Sequence, residues 1–346
     1  MKLVIFAGGI GTRLWPLSRI NSPKQFDKLF NGFSTLQLAF GRTAPVFGAE
    51  NIYIQTVEPY REIIQQQLPE LPAENILIEP ARRDLGPAVC FAVCELYRRG
   101  YSGAISILWS DHLMKETEEF TGALAAAEKL IEVDPERFIF LAEYPRFANN
   151  NLGWIKIGAK KGKTGKYSIH HFAGWKYRPA NEECQQMFAS GDYFWNPGYF
   201  ITSIDFLLQS YRSLAPEIYE AVVSGNYAAA EALHFDKAII ERLDLSQAAV
   251  IKINMGWSDP GTLYALKEAL EKSRQENVAH GKVVAFKTED SLLYNLEKEK
   301  ILAVIGLSGI VIINTPDALL VVPKNEVVHI TKLIKKMEGL GLNKFL

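Results

Sequence analysis

The sequence predicts an α/β fold with a small β appendage and a closing helix, and three observations carry that expectation. Short apolar runs bounded by glycine or polar residues recur at 2–7, 51–57, 75–79, 104–108, 138–142 and 248–253, as buried parallel strands require. Helix-like stretches at 87–99 and 116–133 separate several of them, the alternation of βαβ units in a layered sheet. Residues 280–323 change character, with short Val, Ile and Leu segments punctuated by Gly281, Gly306 and Gly309 and no helical period long enough to bury a face.

Taken in order, the first strand runs straight into Phe6-Ala7-Gly8-Gly9-Ile10-Gly11-Thr12-Arg13-Leu14-Trp15-Pro16-Leu17-Ser18-Arg19, followed by Pro23-Lys24-Gln25-Phe26. In open α/β sheets ligands sit beyond the carboxyl ends of the strands, so the loops after Ala7, Leu108 and Ile253 are where chemistry is expected. Pro87 suits the first turn of the 87–99 helix. Cys90 and Cys94 lie at i, i+4 on its apolar side and read as core. His170 and His171 fall in a strand-like run, where alternation sends them to opposite faces. At the C-terminus, Val327, Val328, Ile330, Leu333, Ile334 and Met337 keep helical spacing, with Lys332, Lys335 and Lys336 on the solvated face. The expected division is residues 1–272 and 273–346, joined by a stretch that is only polar.

Composition bounds the function. With 346 residues, 48% hydrophobic, the chain can bury a full globular core. Lys and Arg number 38 against 39 Asp and Glu, so the one-sided charge of a general nucleic-acid or membrane-surface binder is missing and anion binding must be local. Three cysteines are too few for a disulfide framework, and Met1-Lys2 leads into a strand too short for a signal segment or membrane span; a soluble, cytoplasmic protein is expected.

The glycines after strand one let the backbone approach a ligand and leave N–H groups that can form an anion-binding concavity. Arg13 offers a planar fork to phosphate oxygens, and Lys24 is a compact point charge. A dinucleotide fingerprint would need glycine at Leu14, and a Walker A loop would need Gly-Lys before Ser or Thr, which occurs nowhere. Two acidic loops follow: Ser110-Asp111-His112, and Gly256-Trp257-Ser258-Asp259-Pro260-Gly261. A bare carboxylate about 4 Å from a phosphate charge would be repelled by roughly 4 kcal/mol at an effective dielectric of 20, so acids facing a triphosphate make sense with a cation between them. Mg2+ suits such a place, because it takes one or two carboxylates and fills its octahedron with phosphates and water. The alternative for each aspartate is an Asx turn or a helix cap, and for Asp259 the cap of a helix expected over 261–272.

The strings FAGGIGTRLWPLSR and PKQF resemble the signature of the sugar-1-phosphate nucleotidyltransferases, most closely their mannose-1-phosphate guanylyltransferase branch, to which the Trp-Pro-Leu-Ser-Arg extension points. The resemblance covers nearly the whole chain. It implies a Rossmann-like (GT-A-like) nucleotidyltransferase domain, a short C-terminal left-handed β-helix, dependence on Mg2+, and synthesis of a nucleotide sugar from GTP and a sugar 1-phosphate, mannose 1-phosphate favoured, with release of pyrophosphate. It implies Asp111 and Asp259 as metal ligands and Arg13 on the β and γ phosphates. Lys24 would sit at the α-phosphate with Arg178 as helper, and Ala7, Gly8, Gly9, Gly11, Thr12 and Ser110 would lie at the nucleotide. Residues 79–88 resemble the EPxxRNTAPA motif, matching at Glu79, Arg83, Pro87 and Ala88, with Asp84, Leu85 and Gly86 in place of Asn, Thr and Ala. Residues 190–200 resemble SGxYxWNSGIF, which makes Asn196 a sugar-site residue, although Pro197 replaces Ser. The ETGYGYI stretch aligns with 149–155, so Gly153 is kept while Asn149 and Asn151 replace Glu and Gly. Tyr177-Arg178-Pro179 stands for Glu-Lys-Pro, and Trp109 stands where Pro usually precedes the Ser-Asp-His triplet.

These departures leave another sugar 1-phosphate or another base open, and from a different class a non-catalytic regulatory homologue. The isomerase domain fused to longer relatives is not expected. No nucleic acid or membrane is expected as partner, and a homodimer is one assembly open to the chain.

Overall fold

A computed structural model describes residues 1–9, 11–19, 24–28, 30 and 32–346; Pro23 and the side chains of Thr12 and Lys24, all part of the expected phosphate segment, lie outside what is described. The chain divides into two compact units that interleave in sequence: Met1–Gly8, Ala39–Ser110 and Met114–Trp257 form one, and Gly9–Leu38, Asp111–Leu113 and Ser258–Leu346 the other.

The first unit is built on a ten-stranded sheet of β1 (Lys2–Phe6), β2 (Ile52–Thr56), β3 (Ile76–Ile78), β4 (Ala104–Trp109), β5 (Phe138–Glu143), β6 (Gly153–Thr164), β7 (Tyr167–Tyr177), β8 (Tyr193–Asn196), β9 (Phe200–Ser203) and β10 (Ala248–Ile253). Its order is β10-β7-β6-β8-β5-β9-β4-β1-β2-β3, with β10 also pairing β5. Strands β3, β2, β1 and β4 run parallel, as do β5 and β10, and these six are the runs read from the sequence. Each is almost wholly buried because helices such as Leu85–Arg98 and Thr117–Val133 cover it, so a continuous apolar run is its signature. The antiparallel β6–β7 hairpin escapes that signature. Its outer half is solvated and its pairing is interrupted by register shifts, so lysines replace the apolar run. Cys90 and Cys94 are buried in the core, and His170 is buried while His171 is exposed.

The second unit carries β11 (Val278–His280), β12 (Val283–Phe286), β13 (Leu292–Asn295), β14 (Leu302–Ile305), β15 (Ile310–Asn314) and β16 (Leu319–Pro323). β11, β13 and β15 stack in parallel and β12 stacks on β14, so successive coils of chain lie in register, Leu292 against Val311 and Val283 against Leu302. Leu293, Val304 and Ile312 fill the inside of the coils. Asparagines finish the corner: Asn314 donates to Asn295 Oδ1 at 2.9 Å, and Asn295 donates to the Lys282 and Lys300 carbonyls at 3.0 and 2.8 Å. The closing helix begins with a 3-10 turn over Lys324–His329 before the α-helix Ile330–Gly339. It buries Val327, Ile330 and Ile334 against Leu14, Trp15 and Leu17 and leaves Val328 and Leu333 outward.

Candidate functional site

The glycine segment is shaped by what its carbonyls bind. Gln25 donates its amide to the Gly9 carbonyl at 2.9 Å, while Ser18 Oγ and the Leu14 amide both donate to Gly11. Gly11 sits at φ 69°, a conformation that costs other residues about 1–2 kcal/mol. Among the described residues nothing accepts from the amides of Gly8, Gly9 or Gly11. The Ala7 amide is different, because it donates to the Gln55 carbonyl at 2.8 Å. The Thr12–Leu14 turn then presents Arg13 exposed to solvent. Arg19, the second cation of the signature, is spoken for: its guanidinium donates to Asp317 Oδ1 at 2.7 Å and to the Phe345 carbonyl at 3.0 Å.

Asp111 and Asp259 both fall in the second unit, with Arg13. Leu113 and Ser258 exchange reciprocal backbone hydrogen bonds at 3.0 Å, which pins the loop of Asp111 to the loop of Asp259. Asp111 is about 29% exposed, with His112 Nε2 at 3.9 Å from its Oδ1. Asp259 Oδ1 is buried and, among the described residues, accepts no hydrogen bond. A Cβ placed on Gly261 would lie 2.8 Å from that oxygen and 3.2 Å from Arg13 Nη2, so the bare glycine gives both groups room. Asp259 does not cap the following helix. Thr262 does, accepting from the Ala265 amide at 3.1 Å, and the helix runs Leu263–Leu270.

An orphaned carboxylate oxygen in a half-buried loop fits a cation better than a turn, since an unpaired buried acceptor costs about 1–3 kcal/mol. Two hard oxygen ligands suit Mg2+, whose remaining positions phosphate and water can fill. They are too few for a cage built from protein alone, and no group of three His, Cys, Asp or Glu able to hold a metal occurs among the described residues.

In the first unit, pairing brings the expected sugar residues to one end of three adjacent strands. Gly153 of β6 pairs Asn196 of β8 on one side and Tyr177 of β7 on the other, and Arg178 follows directly. Asn196 Oδ1 accepts from the Gly198 amide at 2.9 Å, which fixes its side chain. Trp109 Nε1 donates to the Gly198 carbonyl at 2.9 Å, so the residue that departs from the family's proline braces the Asn196 turn. The Asn149–Asn151 departure is also structural. Asn149 Oδ1 accepts from the Asn151 amide at 3.0 Å in an Asx turn, and the Asn151 carbonyl accepts from Arg178 Nε at 3.4 Å. Arg178 itself is exposed, held at φ 46° with its guanidinium over the Tyr177 ring.

Residues 79–88 sit at the same sheet's other half. Glu79 is buried and accepts from Tyr227 Oη at 2.8 Å; burial pushes its carboxyl up, opposed by that bond and by the charge of Arg82. A Cβ on Gly8 would lie 3.4 Å from Glu79 Oε1. Arg83 is half-buried, and its Nε finds no acceptor among the described residues. Asp84 accepts from the Leu85 amide and begins the helix two residues earlier than Pro87. Gly86 donates to the Leu233 carbonyl at 2.8 Å, and a Cβ there would meet that oxygen at 2.4 Å, so the alanine of the family pattern is excluded by the 233 segment. Ser110 is buried, its amide bonded to the Phe6 carbonyl at 3.2 Å.

One residue escaped sequence reading. Glu143, fully buried at the end of β5, accepts from the Met255 amide at 2.9 Å and the Trp257 amide at 3.1 Å. Burial pushes its carboxyl above the usual range, against those hydrogen bonds. Arg146 donates to the Trp257 carbonyl at 2.7 Å. A lone carboxylate ending an otherwise apolar strand is the signal that could have found it.

Among the described residues no helix is long and apolar enough to cross a membrane. A family model described as Nucleotidyl transferase matches residues 2–276, and one described as MannoseP isomerase/GMP-like beta-helix domain matches 281–337. The chain is 30% identical over 360 residues to a mannose-1-phosphate guanylyltransferase of Salmonella muenchen, covering 98% of this chain and 74% of that one. It is 28% identical to a mannose-1-phosphate guanylyltransferase of Escherichia coli, over 98% and 73% of the two chains. A solved structure from Thermus thermophilus, described as a mannose-1-phosphate geranyltransferase, is similar at TM-score 0.86 and 26% identity, covering 97% of this chain and 99% of that one.

Proposed function

The chain belongs to the nucleotidyl transferase family, and from that membership we propose that it transfers GMP from GTP to α-D-mannose 1-phosphate, giving GDP-mannose and pyrophosphate. The observation that carries the reading is the buried, unpartnered Asp259 oxygen close to Arg13, following a glycine turn with unclaimed amides. The names of the relatives support the choice of sugar and base.

In this reading the amides of Gly8, Gly9 and Gly11 bind phosphate oxygens, and Arg13 takes the β and γ phosphates. Glu79, Arg83, Pro87 and Ser110 line the nucleotide. Asn196 and Gly153 face the hexose, Arg178 takes the sugar phosphate, and Lys24 faces the α-phosphate. Asp111 and Asp259 would hold Mg2+, which when bound neutralises the phosphate charge. A sugar-phosphate oxygen forms the new bond to the α-phosphorus in line as the bond to pyrophosphate breaks on the opposite side. With a second pKa of about 6 the monoester is already ionised near neutrality, so no general base is needed and the residues act by positioning and electrostatics. We place the protein in the cytoplasm and keep the division at 272/273.

Pyrophosphate release with each of the four NTPs against a panel of sugar 1-phosphates tests this. GTP with mannose 1-phosphate should give the highest kcat/KM. A different best pair would move the substrate assignment, as the altered 84–86 and 149–151 segments allow, and no release from any pair would favour the non-catalytic homologue.

A further inference from the structure

We propose that Asp317 and the backbone of Phe345 position the arginine-bearing turn of the glycine segment, so that residues near the C-terminus set nucleotide affinity without touching the nucleotide. The proposal rests on the reading of that segment as the nucleotide site.

Residues 11–18 form one internally cross-linked piece. The Leu14 amide donates to the Gly11 carbonyl at 3.2 Å, the Leu17 amide to the Leu14 carbonyl at 2.8 Å, and Ser18 Oγ closes back onto Gly11. Arg13 rides in the middle of this piece, its exposed side chain held by no hydrogen bond or ion pair among the described residues. Among the described residues, the segment's polar anchors to distant chain are at Trp15 and Arg19. Trp15 Nε1 donates to the Phe345 carbonyl at 2.7 Å, and Arg19 Nη1 donates to the same oxygen at 3.0 Å. Arg19 Nη2 pairs with Asp317 Oδ1 at 2.7 Å, its guanidinium lying over the Trp15 ring. Thr315 Oγ1 donates to the same Asp317 oxygen at 2.9 Å and so orients the carboxylate. Beneath these polar anchors Leu14, Trp15 and Leu17 pack with Ile330, Ile334 and Leu346.

The consequence follows from stiffness. A piece cross-linked from Gly11 to Ser18 moves as a unit, so freeing its outer end shifts the Gly11 amide and Arg13 together. Arg19 is largely shielded at 17% exposure, although Asp317 is 45% exposed, and Asp317 immobilises the guanidinium that shares the Phe345 carbonyl with Trp15.

The test compares wild type with Asp317→Ala, Asp317→Glu and Asp317→Asn, reading steady-state kinetics and hydrogen exchange of the peptide covering 11–19. Asp317→Ala should raise KM for the nucleotide about tenfold, the size of one lost charge-assisted contact, with kcat and the sugar-phosphate KM changed less than about twofold. Asp317→Glu should restore part of the affinity, and Asp317→Asn should fall between. Exchange over 11–19 should quicken in the same order. An unchanged nucleotide KM despite faster exchange would overturn the proposal, as would unchanged exchange. If wild type turns over no nucleotide, the proposed function fails, and nucleotide Kd by titration together with the exchange order still decides whether Asp317 holds the segment.

Discussion

The glycine segment and the strand ends proposed for the sugar are shaped by opposite routes. In residues 9–19 the shape comes from neighbours in sequence: Gly11, Leu14 and Ser18 bond one another, and the amides left over are the product of a local turn. At the proposed sugar side, sequence neighbours fix only single side chains, as the Gly198 amide does for Asn196. Gly153, Asn196 and Arg178 meet because β8, β6 and β7 pair side by side, and Trp109 from β4 braces the turn at Gly198. The turn keeps its internal bonds within eight residues and leaves only its placement to the distant Asp317 and Phe345, whereas the strand-end constellation depends on pairing throughout, with the Asn149–Asn151 Asx turn beside it.

The largest effect should come from the acids. Asp259→Asn and Asp111→Asn should each lower turnover by orders of magnitude while the thermal midpoint stays near wild type, and wild-type rates at saturating Mg2+ would break the metal assignment. Next, Asn196→Ala should raise KM for the sugar phosphate roughly ten- to hundredfold and leave the nucleotide KM alone, since a site built to bond a hydroxyl loses discrimination when the partner goes. Set beside Asp317→Ala, that pair of variants separates the two regions kinetically; effects that fail to separate would erase the distinction drawn above.

Smaller effects concern stability. Glu143→Gln turns one acceptor into a donor facing backbone N–H groups, and should cost about 1–3 kcal/mol in urea unfolding. Gly86→Ala forces a methyl against the Leu233 carbonyl and should cost about 1–3 kcal/mol, read as a lowered thermal midpoint. The smallest is a pH effect at Glu79. Because burial raises its carboxyl in the folded state, its contribution is fully present below the ordinary glutamate value and is lost as pH rises through the raised one. Wild type should therefore lose stability on that rise more steeply than Glu79→Gln, and parallel pH profiles would remove Glu79 from the account.

The parts legible in the sequence share a property. The six buried strands announce themselves because both faces are covered, so consecutive residues are apolar. The β6–β7 hairpin, wet on its outer half, leaves no comparable run. Asp259 stood out beside Ser258 and Gly261, but its choice between cap and free carboxylate was settled by Thr262, which took the cap.

By itself the sequence determined the glycine turn, the two acidic loops and the alternation of strands with helices, because each depends on residues adjacent along the chain. Only the tertiary structure decided that Arg19 turns to Asp317, 298 residues away, that Glu143 holds the Met255 and Trp257 amides, and that Gly153, Asn196 and Arg178 share one strand end. A cation or a buried carboxylate can satisfy itself with any partner that folding brings near. Which partner arrives is fixed by the burial of many apolar side chains at once, and no short stretch of sequence contains that sum.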